Sequence, residues 1–262
     1  MKAITTAVLM FSVAVTTWTQ STQAQESSAK PAPVEAFYCN LQDGKSMKDV
    51  MQIGKRFSKW ADKNISDYSA WILTPQFGLG AELPQFIWLG SNPNGNAFGK
   101  GLDAYQKTGG DLQKEFESIM DCSAGHVLAS SMEINAPDGP PGDGVVMFTQ
   151  CNFAAGSNWQ KAAKAHKTFS VEMRAMGAKG SNWMFFPMLG GGNPEYDYLA
   201  VSTFKNWTDY GAAYEIYVTG GGWQKAMETY KGVTNCNQRP PTVWDVKLVR
   251  RSEEHTSELQ SR

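Results

Sequence analysis

Four cysteines are the residues whose positions most restrict the chemistry of this chain. Cys39 and Cys151 each lie near the end of an apolar, strand-like run, and Cys122 and Cys236 each precede another such run. The sequence contains no Cys-x-x-Cys pair and no Cys/His spacing typical of metal ligands. Disulfide bonds are therefore the expected chemistry, and a redox or metal-binding pair is the alternative.

The three histidines indicate little catalytic chemistry. His126 begins a strand-like segment, whereas His166 lies on a helical segment rich in Lys and Ala and is expected to be exposed. His255 lies in the C-terminal tail. These positions are not equivalent, and a metal site would need more ligands. We therefore expect no metal centre and assign no catalytic residue.

Composition argues against several classes of partner. The formal net charge of −1 is spread over a chain without a polybasic run, which does not suit nucleic acid or anionic lipid. Aromatic residues make up 12% of the chain, which favours a well-filled core and an aromatic-lined pocket for a small molecule. No motif indicates a cofactor, so its identity is unknown.

Both ends of the chain indicate segments outside the fold. Residues 1–24 have the pattern of a secretory signal peptide, and residues 25–34 form a polar leader expected to be disordered. The sequence has no cysteine near the expected cleavage site, so a lipid anchor on a mature N-terminal cysteine is not indicated. Residues 251–262, RSEEHTSELQSR, resemble a translated sequencing adapter and are expected to be an artefact. The expected location is therefore the periplasm or the extracellular space.

An internal repeat is the most informative feature of the sequence. Residues 108–117, TGGDLQKEFE, and residues 219–228, TGGGWQKAME, share the pattern T-G-G-x-x-Q-K-x-x-E. Each copy also carries a Cys-Asn pair upstream and a second cysteine downstream. The Pro/Gly-rich segment 135–144 then predicts a linker between a first unit, residues 35–134, and a second unit, residues 145–250.

Each copy predicts the order strand, helix, strand, strand, helix, strand, which is the ferredoxin-like βαββαβ pattern of an α+β protein. The two helices of such a unit cover one face of its sheet and leave the other face bare. Two tandem units can bury these faces against each other, sheet to sheet. A partner chain is then not required for this purpose.

The repeat also predicts how the cysteines pair. In a ferredoxin-like unit the first and last strands are antiparallel neighbours, so the end of the first lies beside the start of the last. One bridge per copy follows, Cys39–Cys122 and Cys151–Cys236, among the three pairings that four cysteines allow.

Strand alternation selects candidate ligand-binding residues on the face between the two sheets. Cys39 is expected on the helix-covered face with Phe37 and Leu41, and Cys151 likewise with Phe153. The opposite face and its aromatic surroundings supply the candidates Asn40, Asn152, Tyr38, Gln150, Trp88, Tyr196 and Tyr198. Two alternatives remain open: the Asn pair could cap turns at the strand ends, and the aromatic residues could be ordinary core.

The pattern resembles the dimeric α/β-barrel superfamily, here as a fused pseudo-dimer over about residues 35–250. The resemblance is topological and lacks a diagnostic motif. It implies relatives that include cofactor-independent monooxygenases, heme-degrading enzymes, chlorite-dismutase-like heme proteins and units with only binding or regulatory roles. The heme-degrading members are similar in having an Asn on the first strand and a Trp on the third, where Asn40 and Trp88 stand. They also use a His on the second helix, where this chain has none.

Three hypotheses of function follow. The first is an exported protein that binds a small, partly apolar ligand between its two sheets. The second is a cofactor-independent or heme-related monooxygenase-like enzyme in which Asn40, Asn152 and Trp88 orient the substrate. The third is a structural or partner-binding module with a filled core. A cavity of several hundred cubic ångströms would favour the first two.

Overall fold

The structure is a computed structural model that describes residues 30–78 and 83–252. The predicted signal peptide, most of the predicted leader and residues 253–262 lie outside the described residues. Arg251 and Ser252, which the sequence assigns to the artefact, contact the fold: Arg251 Nη2 donates to the carbonyl of Pro141 at 2.7 Å, and the amide of Ser252 donates to Ser69 Oγ at 3.1 Å.

Seven elements make up the first half of the chain. They are β1 Ala32–Leu41, α1 Met47–Asn64, β2 Ser69–Phe77, β3 Phe86–Ser91, α2 Gly95–Thr108, α3 Gly110–Ile119 and β4 Met120–Asn135. The second half repeats this order with one additional short strand. Its elements are β5 Gly144–Phe153, α4 Trp159–Ala175, β6 Ser181–Leu189, β7 Tyr198–Phe204, α5 Trp207–Val218, α6 Gly222–Tyr230, β8 Thr234–Asn235 and β9 Thr242–Arg250.

The first strand starts earlier than the sequence predicts, which corrects the extent of the leader. β1 begins at Ala32, so the last three residues of the predicted disordered segment belong to the sheet. Ala32 pairs with Ser131 of β4, and Val34 is buried. The proline content of this segment hid the strand, yet a proline is tolerated at the beginning of a strand. The connection between β4 and β5 lies within the predicted linker.

Polar side chains begin most of the helices by satisfying backbone groups of the first turn. Asp49 accepts a hydrogen bond from the amide of Ser46 at 2.9 Å, as in a capping box. Asn94, Asn158 and Asn206 each accept from the amide three residues on, at 2.8–3.0 Å. Asn94 and Asn206 occupy corresponding places, because each begins the helix that follows the third strand of its half.

Eight antiparallel strands close into one barrel in the order β1, β3, β2, β9, β5, β7, β6, β4 and back to β1. Within the described residues, six helices pack outside it. The halves are joined by the β2–β9 and β4–β6 pairs. The predicted α+β barrel is confirmed as a closed antiparallel barrel, in which hydrogen bonds connect the sheet edges of the two halves and so remove the unpaired edges of each half.

Apolar side chains form three clusters around this barrel. One fills the space between the helices and the sheet of the first half and includes Ile53, Phe57 and Trp88. A second lies inside the barrel and includes Leu73 and Trp244. The third lies between the helices and the sheet of the second half and has fewer buried members. Of the helices described, none has the length and apolar character needed to span a membrane.

Candidate functional site

A cavity of about 580 Å³ lies inside the barrel between strands of both halves. Its wall is mainly apolar. The apolar residues include Ala36, Leu73, Ile87, Leu89, Phe148, Phe185, Leu199 and Trp244. The volume falls in the range of pockets that hold small molecules. The site is thus a cavity to which both halves of the chain contribute.

Four predicted candidates line this cavity: Tyr38, Asn40, Gln150 and Tyr196. Burial raises the pKa of Tyr38, and the neighbouring Tyr196 raises it further. Burial also raises the pKa of Tyr196. Both phenols therefore keep their protons at neutral pH, and they can donate hydrogen bonds to an acceptor in an otherwise apolar space.

Asn40 lies at the rim, where it also holds a loop. Its side chain is exposed, and its Oδ1 accepts from the amide of Gln85 at 3.1 Å. The side chain of Gln85 in turn accepts from the amide of Leu41 at 2.7 Å. These bonds connect the end of β1 to the residue before β3, which supports the capping role that the sequence left open.

Asn152 makes the same arrangement in the second half but does not line the barrel cavity. Its Oδ1 accepts from the amide of Asp197 at 3.0 Å, and the carboxylate of Asp197 accepts from the amide of Phe153 at 2.7 Å. Its Nδ2 donates to the carbonyl of Glu195 and to the side chain of Gln238. The structure therefore does not bring the two Asn residues together in one cavity.

Two further candidates lie on the opposite face of the barrel wall, which corrects their placement in the pocket. Trp88 is buried under the helices of the first half, and its Nε1 donates to the hydroxyl of Tyr68 at 3.2 Å. Tyr198 is buried under the helices of the second half. β7 begins at Tyr198, so Tyr196 lies before the strand. The alternation of side chains along a strand therefore does not determine whether Tyr196 and Tyr198 point to the same face.

A buried polar network on the helix-covered face of the first half was not predicted from the sequence. Glu35 is 6% exposed; its carboxylate accepts from the hydroxyl of Tyr68 at 3.0 Å and lies 3.0 Å from Nε2 of His126. The ring of His126 stacks on Phe37. Burial and the charge of Glu35 raise the pKa of Tyr68 well above its usual value, so this phenol acts as a donor.

His166 is the clearest residue that sequence reasoning missed, because it was expected to be exposed. Its Nε2 lies 2.9 Å from the hydroxyl of Tyr198, and its Nδ1 lies 3.0 Å from that of Tyr230. Burial lowers its pKa to about 4, so the ring is neutral at pH 7. Helical spacing could have found it: His166 follows the buried Ala162 by one turn and so shares its inward face.

The donor and the acceptor of each hydrogen bond around His166 can be assigned by starting from Thr234. The hydroxyl of Thr234 donates to the carbonyl of Asn152 at 3.0 Å, so the hydroxyl of Tyr198, 2.7 Å away, donates to Thr234. Tyr198 then accepts from Nε2–H of His166, and Nδ1 accepts from Tyr230. Both ring nitrogens are thereby used within the network.

Both cysteine pairs form the bridges that the repeat predicts. Cys39 is bonded to Cys122, and Cys151 to Cys236. Cys39, Phe37 and Leu41 belong to the helix-side cluster, in agreement with the alternation. The sulfurs of the second bridge and a ring nitrogen of His166 lie within 4.8 Å of one another. As a disulfide, these sulfurs offer no thiolate to a metal ion.

A second cavity, of about 1130 Å³, lies between the helices and the sheet of the second half. His166, Phe169 and Tyr230 are among its lining residues. This is the place where a heme, the group that the family resemblance suggests, would meet a histidine. The residues do not fit that group, because Nδ1 of His166 accepts from Tyr230 and Nε2 carries the proton donated to Tyr198.

Comparison with known proteins shows that this chain is similar to some of them in fold. The chain matches no protein-family model, and no curated protein is similar to it in sequence. A candidate monooxygenase from Fusobacterium nucleatum superposes with a TM-score of 0.52 at 9% identity, over 86% of this chain and 95% of that one. The chain therefore shares the closed antiparallel barrel with outer helices found in dimeric α/β-barrel proteins.

Two other solved structures are similar at lower scores. A candidate monooxygenase from Lactobacillus acidophilus gives a TM-score of 0.48 at 12% identity, over 84% of this chain and 95% of that one. A mutant chlorite dismutase from Candidatus Nitrospira defluvii gives 0.48 at 8% identity, over 88% and 95%.

Proposed function

We propose that this protein binds a small, partly apolar molecule in the cavity inside its barrel. The observation that carries the proposal is the cavity of about 580 Å³, which apolar side chains of both halves enclose. A barrel interior of this kind removes apolar ligand surface from water, which contributes roughly 25 cal/mol per Å² buried.

The polar groups of the cavity support a ligand with at least one hydrogen-bond acceptor. Tyr38 and Tyr196 are neutral phenols at physiological pH, and burial raises the pKa of each further above its ordinary value of 10.0. Gln150 adds an amide to the same wall. A few polar groups in an apolar wall fix the orientation of a ligand, whereas the apolar area supplies most of the binding free energy.

We infer further that the barrel is a fused pseudo-dimer of two tandem ferredoxin-like units. The strand order is β4-β1-β3-β2 in the first half and β9-β5-β7-β6 in the second, so corresponding strands take corresponding places. Trp71 and Trp183, like Pro75 and Pro187, occupy matching positions in β2 and β6. This arrangement would explain why each half supplies one wall of the cavity.

An exported location suits this proposal. Two disulfide bonds in the described part of the chain are typical of proteins from an oxidising compartment. We propose that residues 1–24 direct the chain to the periplasm or beyond, where its ligand would be met.

Native mass spectrometry of the protein purified from its source tests the binding proposal most directly. We expect a small molecule to remain bound to the wild type and to be lost from Ala36→Trp, whose new ring would occupy the cavity. Ala155→Trp, at an exposed turn, is the matched control and should retain the molecule. The same mass excess in Ala36→Trp and in the wild type would show that the barrel is not the site.

An oxygenase of the cofactor-independent or heme-related kind is the second candidate. It is favoured by the likeness of fold to a candidate monooxygenase. Oxygen consumption with a panel of quinol-like substrates and heme separates the two proposals. Substrate-dependent oxygen uptake that is lost in Ala36→Trp would support the enzyme, and binding without turnover would support the ligand-binding protein.

A further inference from the structure

Two phenols in the wall of the barrel cavity have hydroxyl groups without a protein partner. Tyr38 and Tyr196 both line the cavity. Among the residues that the structure describes, no group accepts a hydrogen bond from either hydroxyl. A half-buried donor that faces a cavity gains free energy when a ligand supplies its acceptor. The two hydroxyls therefore mark where the polar group of a ligand binds.

The ring of Tyr38 lies near Tyr196 and is fixed in place. Burial raises the pKa of Tyr38, and the charge of an ionised Tyr196 would raise it further, so the two phenols lie close together. Tyr38 pairs with Gly125 of β4, and a Cβ added to Gly125 would lie 2.9 Å from Cδ2 of the ring. The absence of a side chain at Gly125 thus lets the ring lie flat against the neighbouring strand.

Tyr196 is held through both of its neighbours in sequence. Nδ2 of Asn152 donates to the carbonyl of Glu195 at 3.2 Å, and its Oδ1 accepts from the amide of Asp197 at 3.0 Å. The same amide lies 3.0 Å from the carbonyl of Cys151. These bonds connect the backbone on either side of Tyr196 to the end of β5. A donor that is fixed before binding loses less conformational entropy when the ligand arrives.

The topology places a third polar group at the same end of the barrel. β1 and β5 are four strands apart in the closed order, so they form opposite walls, and four antiparallel steps make them run in the same direction. Tyr38 and Gln150 each precede the cysteine of their strand. They therefore lie at one end on opposite walls. Two residues earlier, Ala36 and Phe148 line the cavity with apolar groups.

The charge of the wall restricts the polar group of the ligand. Of the described residues that line the cavity, none carries a charge at neutral pH. An anionic ligand would be buried there without a cation, which costs free energy. An ammonium group brings donors and no acceptor, so it would leave both phenol hydrogens unpaired. A carbonyl oxygen is uncharged and has two lone pairs, one for each phenol.

We propose that the ligand of the barrel is an uncharged carbonyl compound, whose oxygen accepts hydrogen bonds from both Tyr38 and Tyr196. Its apolar body extends past Ala36 and Phe148 into the rest of the cavity. This assignment rests on the proposed function, because it names the class of ligand for the same cavity.

Equilibrium dialysis with two probes of the same shape tests this assignment. The probes are 2-acetylnaphthalene, an uncharged ketone, and 2-ethylnaphthalene, in which a CH₂ group replaces the carbonyl. We expect Tyr38→Phe and Tyr196→Phe each to bind 2-acetylnaphthalene about threefold to tenfold more weakly than the wild type does. Both variants should bind 2-ethylnaphthalene as the wild type does, because the lost hydroxyl served only the carbonyl. Anionic 2-naphthoate should bind the wild type at least tenfold more weakly than 2-acetylnaphthalene.

Tyr105→Phe is the matched control, because it removes a phenol hydroxyl that lines neither cavity. It should bind both probes with wild-type affinity. Circular dichroism establishes that each variant is folded. Tyr196 lies outside the strands, so Tyr196→Phe keeps the test decisive if Tyr38→Phe does not fold.

Two results would overturn the carbonyl assignment. They are wild-type affinity for 2-acetylnaphthalene in the folded Phe variants, and failure of the wild type to bind this ketone. Ala36→Trp separates that outcome from failure of the proposed function. Loss of 2-ethylnaphthalene from Ala36→Trp would leave the barrel as a ligand site even if the carbonyl assignment fails, whereas wild-type binding of both probes would overturn the barrel site as well.

Discussion

Asn40 is hydrogen-bonded to Gln85, and the adjacent Leu41 makes a second hydrogen bond to Gln85, so the end of β1 is tied to the residue before β3. The amide of Gln85 donates to Asn40 Oδ1 at 3.1 Å, and the side chain of Gln85 accepts from the amide of Leu41 at 2.7 Å. Asn152 and Asp197 repeat this arrangement in the second half. The recurrence gives both Asn residues a structural role at the ends of the barrel.

Replacement of either Asn residue should therefore lower stability. Asn40→Ala and Asn152→Ala each leave one backbone amide without its side-chain acceptor, at a cost of about 1 kcal/mol in the free energy of unfolding. Urea denaturation measures this cost. Asn193→Ala, at an exposed loop position, serves as the control and should change stability little. Equal stabilities for all three variants would contradict the anchoring role.

The two disulfides should contribute similar amounts of stability. They close loops of nearly equal length, with sequence separations of 83 and 85. Chain entropy then predicts a loss of about 4 to 5 kcal/mol for each of the double variants Cys39→Ala/Cys122→Ala and Cys151→Ala/Cys236→Ala. Urea denaturation of the oxidised wild type and each variant provides the measurement. A loss below about 1 kcal/mol for either pair would be inconsistent with this reasoning.

His166 should make the protein less stable in acid. Its pKa is lowered by burial to about 4 in the folded state, whereas an exposed histidine has a pKa of 6.5. The unfolded chain therefore takes up the proton first as the pH falls. The stability present above pH 6.5 is lost progressively between pH 6.5 and about 4, by an amount on the order of 3 kcal/mol.

The variant His166→Gln isolates this effect because its amide can both donate and accept but does not titrate. We expect the free energy of unfolding to fall less steeply between pH 7 and pH 4.5 in this variant than in the wild type. If the free energy of unfolding of His166→Gln fell with pH as steeply as that of the wild type, His166 would be ruled out as the titrating group.

Tyr68 should be important for the buried network of the first half. Its hydroxyl donates to Glu35 and accepts from Nε1 of Trp88, so Tyr68→Phe leaves a buried carboxylate oxygen and an indole N–H without this partner. The expected loss is about 1 to 3 kcal/mol in the free energy of unfolding. Tyr214→Phe removes an exposed hydroxyl and should have little effect in the same urea experiment.

Periodicity and repetition in the sequence determined much of the fold. The alternation of residues in the first strands placed Cys39 on the helix side and Tyr38 toward the interior, because neighbouring side chains of a strand point to opposite faces. The repeat then predicted the disulfide pairs and the order of elements in each half. These are properties of local geometry, which the order of residues carries directly.

Tertiary structure alone decided how the halves meet and which side chains surround each cavity. Hydrogen bonds between β2 and β9 and between β4 and β6 depend on strands distant in sequence, so alternation could not distinguish a closed barrel from two stacked sheets. The direction of Tyr198 and the burial of His166 likewise depend on packing across elements. A strand pattern gives the face of a residue, but only the assembled layers show what lies against that face.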